Sequence, residues 1–285
     1  MKKIKLIAID IGGTLITDDD IIPKENIMAI ESVKAKGVKI ALITARMYSS
    51  TKYISQQIAA DYGVFSNGSI VMNINDLSIY DVEYIPKTLV LKLISFAKEN
   101  DIYIHINRPF LEFSDQDKYF ALKHKILNHK YPKKLKSNIL VIDDLKKYCS
   151  DIDDVVKVVF VSENNLDSFI EKLKINFPQL YITEYYKNSN EVTIGKVINY
   201  VEVGIRNFTK CDGLGILINK LGISEDETLV IGDGINDLEM FKKFKNSGCL
   251  INGDLKAKEI SEYVSSKNNN EAGLAEIILH YIERC

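Results

Sequence analysis

Apolar and polar positions follow two textures along this chain. Up to about Ser69, short apolar runs alternate with helix-spaced patterns. "KLIAI" reads as a buried strand, and "PKENIMAIESVKAKG" as a helix with Pro23 near its start, Ile27, Ile30 and Val33 on one face, and Gly37 at its end. "VKIALIT" predicts a second strand, "MYSSTKYISQQIAADYG" a second helix and "VFS" a short strand. Strand, helix, strand, helix, strand implies a parallel sheet with helices on its faces. The same texture returns near the C-terminus. There "TKCDGLGILINKLG" reads as a helix, "TLVIG" as a strand and "NDLEMFKKF" as a helix. "SGCLI" and "YVS" follow as short strands, and "AGLAEIILHYI" as a closing helix. Residues 1–80 and 200–285 are expected to share one sheet and one domain.

Residues 81–199 read differently. "IYIHI", "VVKVVFV" and "LYITEYY" carry alternation and aromatics, interleaved with the helical "PKTLVLKLISFAKEN" and "LDSFIEKLKINF". That pattern suits an antiparallel sheet with helices on one face, a separate α+β module inserted into the first domain. The expected fold class is α/β, a Rossmann-like core with an inserted α+β domain. The insert holds a basic run, "KHKILNHKYPKKLK" from Lys123 to Lys136. It reads as solvated surface, because "DDLKKYCSDIDD" soon afterwards supplies acids to neutralise it; a phosphate- or nucleic-acid-attracting patch is the alternative.

Composition narrows the partners. The 285 residues are 46% hydrophobic and 27% charged, with a formal net charge of −2, which leaves no global footprint for nucleic acid or membrane. No segment approaches the roughly 18 apolar residues of a membrane span. "MKKIKLIAID" begins like a secretory signal, but its apolar part is short and runs into Asp10, so it reads as a first strand. Cys149, Cys211, Cys249 and Cys285 are scattered without metal-ligand spacing, as reduced thiols of a cytoplasmic protein would be. His105, His124, His129 and His280 form no zinc pattern and are expected in surface or packing roles. A monomer or weak homodimer acting on a small molecule fits this balance.

The candidate chemistry lies where predicted strands end, since functional groups of open α/β sheets gather at the carboxyl ends of strands. "LIAID" ends in Asp10; "IALIT" ends in Thr44, followed by Ala45 and Arg46; "LVIGD" ends in Asp233, followed by Gly234, Ile235, Asn236 and Asp237. "NFTKCDG" puts Lys210 at the start of a helix, where backbone N–H groups favour an anion. Converging carboxylates are costly unless a cation sits between them. Oxygen-only ligands indicate a hard ion, Mg²⁺. A hydroxyl, an ammonium and free amides beside that ion would hold a phosphoryl group, with Lys210 and Thr44 on its oxygens. A carboxylate can attack phosphorus, and Asp10, exposed by the glycine turn after it, is the candidate nucleophile.

These segments resemble the haloacid dehalogenase (HAD) superfamily of phosphotransferases, in its Cof-type branch, over nearly the whole length. "DIGGTL" stands where that family has DxDGTL, "ITAR" is similar to its second motif, and "SNGS" to its NGA turn. "VEVGIRNFTKCDGL" resembles the stretch with its third-motif lysine, and "IGDGINDLEM" the fourth motif. The resemblance implies a Rossmann-like core with an α+β cap, inserted after the second motif, that selects the substrate. It implies Asp10 as nucleophile and metal ligand, Asp233 as second ligand with Asp237 supporting the site, and the Gly12 carbonyl completing the metal contacts. Thr44 and Lys210 would bind phosphate; Gly13, Ala45, Arg46 and Asn236 complete the phosphate-binding set.

One departure bears on mechanism. Where the family has its second aspartate, the general acid and base, this chain has Gly12. General acid–base catalysis typically supplies about 10²–10⁴ in rate, or about 3–5.5 kcal/mol of barrier. The expectation is a slow Mg²⁺-dependent phosphatase of small phosphorylated metabolites, among them sugar phosphates, nucleotides and phosphorylated cofactors. A non-catalytic phosphometabolite-binding or regulatory protein is the main rival, and a phosphotransferase a third reading. Phosphonatases also lack that acid, but their cap lies between the first two motifs, where this chain has room for one helix only. Smaller departures are Ala45 for the usual glycine and "LINGDL" in place of MGNA.

Overall fold

The first apolar run forms strand β1 (Leu6–Ile9), with all four side chains buried. The computed structural model describes residues 3–282. In chain order the other strands are β2 (Lys39–Ile43), β3 (Tyr62–Phe65), β4 (Ile70–Asn73), β5 (Ile79–Val82), β6 (Tyr103–Arg108) and β7 (Leu111–Ser114). They continue with β8 (Ile139–Val141), β9 (Lys157–Ser162), β10 (Tyr181–Glu191), β11 (Lys196–Gly204), β12 (Thr228–Gly232), β13 (Asn246–Cys249) and β14 (Tyr263–Val264). The chain folds as two compact units: one takes in residues up to Arg46, Ile54–Asp81 and Phe208 onward, the other Met47–Tyr53 and Val82–Asn207.

The first unit holds a sheet ordered β14-β13-β12-β1-β2-β3-β4-β5. Neighbours run parallel from β14 through β3, and β4 returns antiparallel. The strands read as continuous apolar runs because both faces are dry. Leu6, Ala8, Ala41, Ile43, Val64 and Val230 pack against Leu214, Leu217 and Ile218 of helix Lys210–Leu221 and Met240 and Phe241 of helix Leu238–Lys243. The alternate positions Ile7, Ile9, Ile40 and Leu42 are equally buried. Each such side chain contributes about 1.5–3 kcal/mol by leaving water. Register decides where function can sit. Ile9 lies opposite both Ile231 and Leu42, so β1, β2 and β12 end level with one another.

The second unit is a six-stranded sheet ordered β10-β11-β9-β6-β7-β8, antiparallel except where β8 runs parallel to β7. Ile104, Ile106, Val158 and Phe160 face helices Lys87–Glu99, Leu145–Cys149 and Asp167–Asn176. Tyr103, Val159, Val161 and Ile198 form a second buried cluster, packed against Tyr119 and Phe120 of helix Tyr119–Asn128. Helices thus cover both faces, not one as the alternation suggested. The reason is visible in β9, whose residues from Lys157 to Val161 are buried at successive positions. Helix Tyr119–Asn128 runs into the basic run that begins at Lys123.

Two of the four histidines flank a buried acid in this unit. His105 Nε2 lies 2.9 Å and His124 Nδ1 3.5 Å from Glu112 Oε2, and the Ser49 hydroxyl donates to Glu112 Oε1. Burial pushes the Glu112 carboxyl up, yet His124, His105 and Ser49 together hold it down at about 2. This network ties Ser49 to the second unit. Cys149, Cys211 and Cys249 are free and buried, and Cys285 lies outside the described residues. Among the described residues no helix is long and apolar enough to cross a membrane.

Candidate active site

Asp10 follows the last residue of β1, and its amide donates to the Ile231 carbonyl of β12 at 2.9 Å. The turn Ile11–Leu15 comes next. Gly13 has φ +70°, and a Cβ there would lie 2.2 Å from Asp233 Oδ2, so only glycine lets this loop press against that carboxylate. Gly12 is different. It is exposed, has φ −74° and ψ 130°, and a Cβ there would meet nothing within 4 Å. Thr14, which the sequence reading did not single out, is buried and donates its hydroxyl to Asp233 Oδ1 at 2.9 Å.

Lys210 opens helix Lys210–Leu221 behind a capping box. The Asp212 amide donates to Thr209 Oγ1 at 3.2 Å and the Thr209 amide to Asp212 Oδ2 at 2.9 Å. The turn Ser66–Gly68 sits directly on that helix start, where a Cβ on Gly68 would lie 2.2 Å from the Thr209 carbonyl. Seated in this way, Lys210 is only 2% exposed, and its ammonium donates to Asp10 Oδ1 and Asp237 Oδ1, each at 2.7 Å. Asp237, fully buried, accepts the Asp233 and Gly234 amides on its other oxygen at 3.0 and 2.9 Å. Both of its oxygens are therefore engaged, and it holds Lys210 and the "GDGIND" loop in place.

One carboxylate oxygen from each of Asp10, Asp233 and Asp237 lies within 4.8 Å of the others. Burial raises the Asp10 carboxyl to about 7, Asp237 and Asp233 adding to it while Lys210 opposes. Burial likewise raises Asp233 to about 6, against the hydrogen bond from Thr14. For Lys210 burial works against the charge, but Asp10 and Asp237 hold its pKa above the ordinary value. Three crowded carboxylates, with raised proton affinity at Asp10 and Asp233, form an all-oxygen donor set, the kind that takes a hard divalent cation.

The other sequence-selected residues spread around this cluster. Thr44, 3% exposed, follows β2; its hydroxyl accepts the Arg46 amide at 3.2 Å and keeps its own proton to donate. Its amide donates to the Val64 carbonyl at 2.9 Å, which holds it level with Asp10. Arg46, next after Ala45, pairs its guanidinium with Asp20 at 3.4 Å. Asn236 is exposed, and its amide donates to Asn67 Oδ1 at 3.4 Å.

A family model for haloacid dehalogenase-like hydrolases matches residues 7–278. The chain belongs to that family. This HAD-like hydrolase is 23% identical to the Bacillus subtilis 5-amino-6-(5-phospho-D-ribitylamino)uracil phosphatase YcsE, over 98% of this chain and 96% of the relative. It is 26% identical to the Escherichia coli phosphatase YbjI, named for the same substrate, over 96% of this chain and 95% of the relative. A haloacid dehalogenase-like hydrolase from Bacteroides thetaiotaomicron has the same fold, with a TM-score of 0.82 at 20% identity, covering 98% of this chain and 99% of that one.

Two asparagines brace the loop that follows Asp10. Asn252 donates to the Gly13 carbonyl at 2.9 Å, and its Oδ1 accepts the Asn269 amide at 3.0 Å. Asn269 in turn donates to the Ile16 carbonyl at 3.1 Å and to Asp18 Oδ1 at 3.0 Å. The signal for Asn252 was its place in "LINGDL", a stretch that departs from the family pattern. Asn252→Ala is expected to cost about 0.5–1.5 kcal/mol of stability. It should also lower kcat more than it raises KM, because the loop carrying Asp10 loses a restraint. Urea unfolding and steady-state kinetics measure the two effects.

Proposed function

We propose that this HAD-like hydrolase is a Mg²⁺-dependent phosphatase of small phosphorylated metabolites, acting through an aspartyl-phosphate on Asp10. The observation that carries the reading is the Asp10–Lys210–Asp237 arrangement beside Asp233, at the level ends of β1 and β12. Asp10 and Asp233 would ligate the ion with the Gly12 carbonyl, and Asp237 would act through Lys210. Mg²⁺, when bound, neutralises part of the phosphoryl charge and of the carboxylates facing it. Lys210 and the Thr44 hydroxyl take phosphoryl oxygens, with the amides of Gly13, Ala45 and Arg46 and the side chain of Asn236 nearby. An Asp10 carboxylate oxygen attacks phosphorus, the bond to the leaving oxygen breaks, and water later releases phosphate from Asp10. The two relatives named for a phosphorylated ribityl compound support a small phosphorylated metabolite as substrate. Residues 81–199 would act as the substrate-selecting cap.

The test is phosphate release from a panel of phosphorylated metabolites with Mg²⁺ and with chelator. Release that depends on the ion supports the reading; binding of Mg²⁺ and phosphate with no turnover of any substrate overturns it. Protonation gives a second handle. Asp10 and Asp233 have raised values near 7 and 6. Their contribution to metal-free stability is therefore full below the ordinary carboxylate value and is lost as pH rises through that range. Mg²⁺ relieves the loss and competes with protons. The Mg²⁺-induced gain in Tm is thus expected to be larger at about pH 8 than at about pH 5. Calorimetry with and without the ion checks the sign.

A further inference from the structure

The site holds a nucleophile and an anion cradle, but its proton donors are committed. Lys210 is 2% exposed, and its ammonium is shared between Asp10 and Asp237. Asp237 has both oxygens engaged, Asp233 accepts from Thr14 and faces Asp10, and Asp10 is the attacking group. Of the three acids farther along the same loop, Asp18 is tied to Asn269 and Asn270 and Asp20 to Arg46, while Asp19 is exposed. Position 12, next but one to the nucleophile, has open space and no side chain. Of the three acids gathered at this site, none is left free to protonate a departing oxygen.

Phosphoryl transfer without an acid is not forbidden; it becomes selective. As the P–O bond breaks, its electron pair goes to the leaving oxygen. An alkoxide bearing that pair is very basic and needs a proton in the transition state. A carboxylate or phosphate leaving group is weakly basic and departs as the anion. We propose that the substrates this enzyme turns over best are phosphoanhydrides or acyl phosphates, whose leaving group departs as a stable anion. This inference rests on the phosphatase reading above. In the first step an Asp10 oxygen bonds to phosphorus and the anhydride oxygen leaves with its pair, no proton moving. In the second, water adds to phosphorus, the bond to Asp10 breaks, and the water proton ends on the released phosphate. That second step has no base to help it, so with activated substrates the aspartyl-phosphate accumulates.

The experiment measures kcat/KM for a series of substituted phenyl phosphates, with acetyl phosphate and pyrophosphate at one end and glycerol phosphate at the other. In the wild-type protein the rate is expected to fall roughly threefold to tenfold per unit of leaving-group pKa. Rapid mixing should give a burst of leaving group equal to the enzyme, with one phosphoryl group on Asp10 by mass spectrometry. Gly12→Asp should flatten the dependence by accelerating the poorest leaving groups, whereas Gly12→Asn, of the same shape without an acid, should keep it steep. A flat wild-type series that still requires Asp10 overturns the inference and leaves the phosphatase reading standing. If even the most activated members give no Asp10-dependent release and no phosphoenzyme, the phosphatase reading itself fails, and this inference with it.

Discussion

Gly12→Asp is expected to raise kcat/KM for an alkyl phosphate by about 10²–10⁴, the usual worth of a positioned general acid and base. The gain corresponds to about 3–5.5 kcal/mol of barrier. The backbone at position 12 already has φ −74° and ψ 130°, ordinary for any L-residue, and a Cβ would meet nothing within 4 Å. No rearrangement has to precede the new function. The neighbouring glycine makes the contrast. A Cβ on Gly13 would lie 2.2 Å from Asp233 Oδ2 at φ +70°, so Gly13→Ala is expected to push the loop off Asp233 and abolish turnover. The two positions are adjacent, and the backbone angle and the room beside it decide between them. Steady-state phosphate release with both variants measures the outcome. An unchanged rate in Gly12→Asp would mean that proton transfer does not limit turnover.

The level ends of β1, β2 and β12 explain why so much of the site was legible from the chain. A buried parallel strand has a continuous apolar run, and that run stops where the sheet ends. A polar residue at the stop is therefore at the carboxyl edge, as Asp10, Thr44 and Asp233 are. Lys210 was legible because a helix start is marked by its cap, Thr209. What the pattern could not give was direction beyond the backbone. Arg46 shares the edge with Thr44, yet its long side chain turns to Asp20. Thr14 reaches Asp233, and Asn252 reaches the loop, through contacts spanning more than two hundred residues of sequence, which no local period encodes. The Glu112–His105–His124 cluster was hidden because its members, though near in sequence, sit on three different elements of the second unit. Ser49 joins that cluster from a helix whose spacing reads as part of the first sheet's texture.

Asp10→Asn separates what this site does for catalysis from what it does to stability. Turnover should fall to background, since an amide oxygen neither attacks phosphorus usefully nor forms a stable phosphoryl link. Stability should move the other way. The Asp10 carboxyl is raised to about 7, first by burial and then by Asp237 and Asp233, and Lys210 only partly compensates. Above that pH the metal-free fold carries a buried negative charge that the unfolded chain hydrates freely; below the ordinary carboxylate value both states are protonated and the difference vanishes. Replacing the carboxyl by an amide removes the penalty and leaves Lys210 paired with Asp237 at 2.7 Å. In chelator, urea unfolding should give the variant an advantage on the order of 1–3 kcal/mol at about pH 8, shrinking towards zero near pH 4. The variant should also lose most of the Mg²⁺-induced gain in Tm, because one of the two oxygens with a raised proton affinity is gone. An Asn variant less stable than wild type at high pH would mean that the Lys210–Asp10 pair outweighs the cost of crowding three acids.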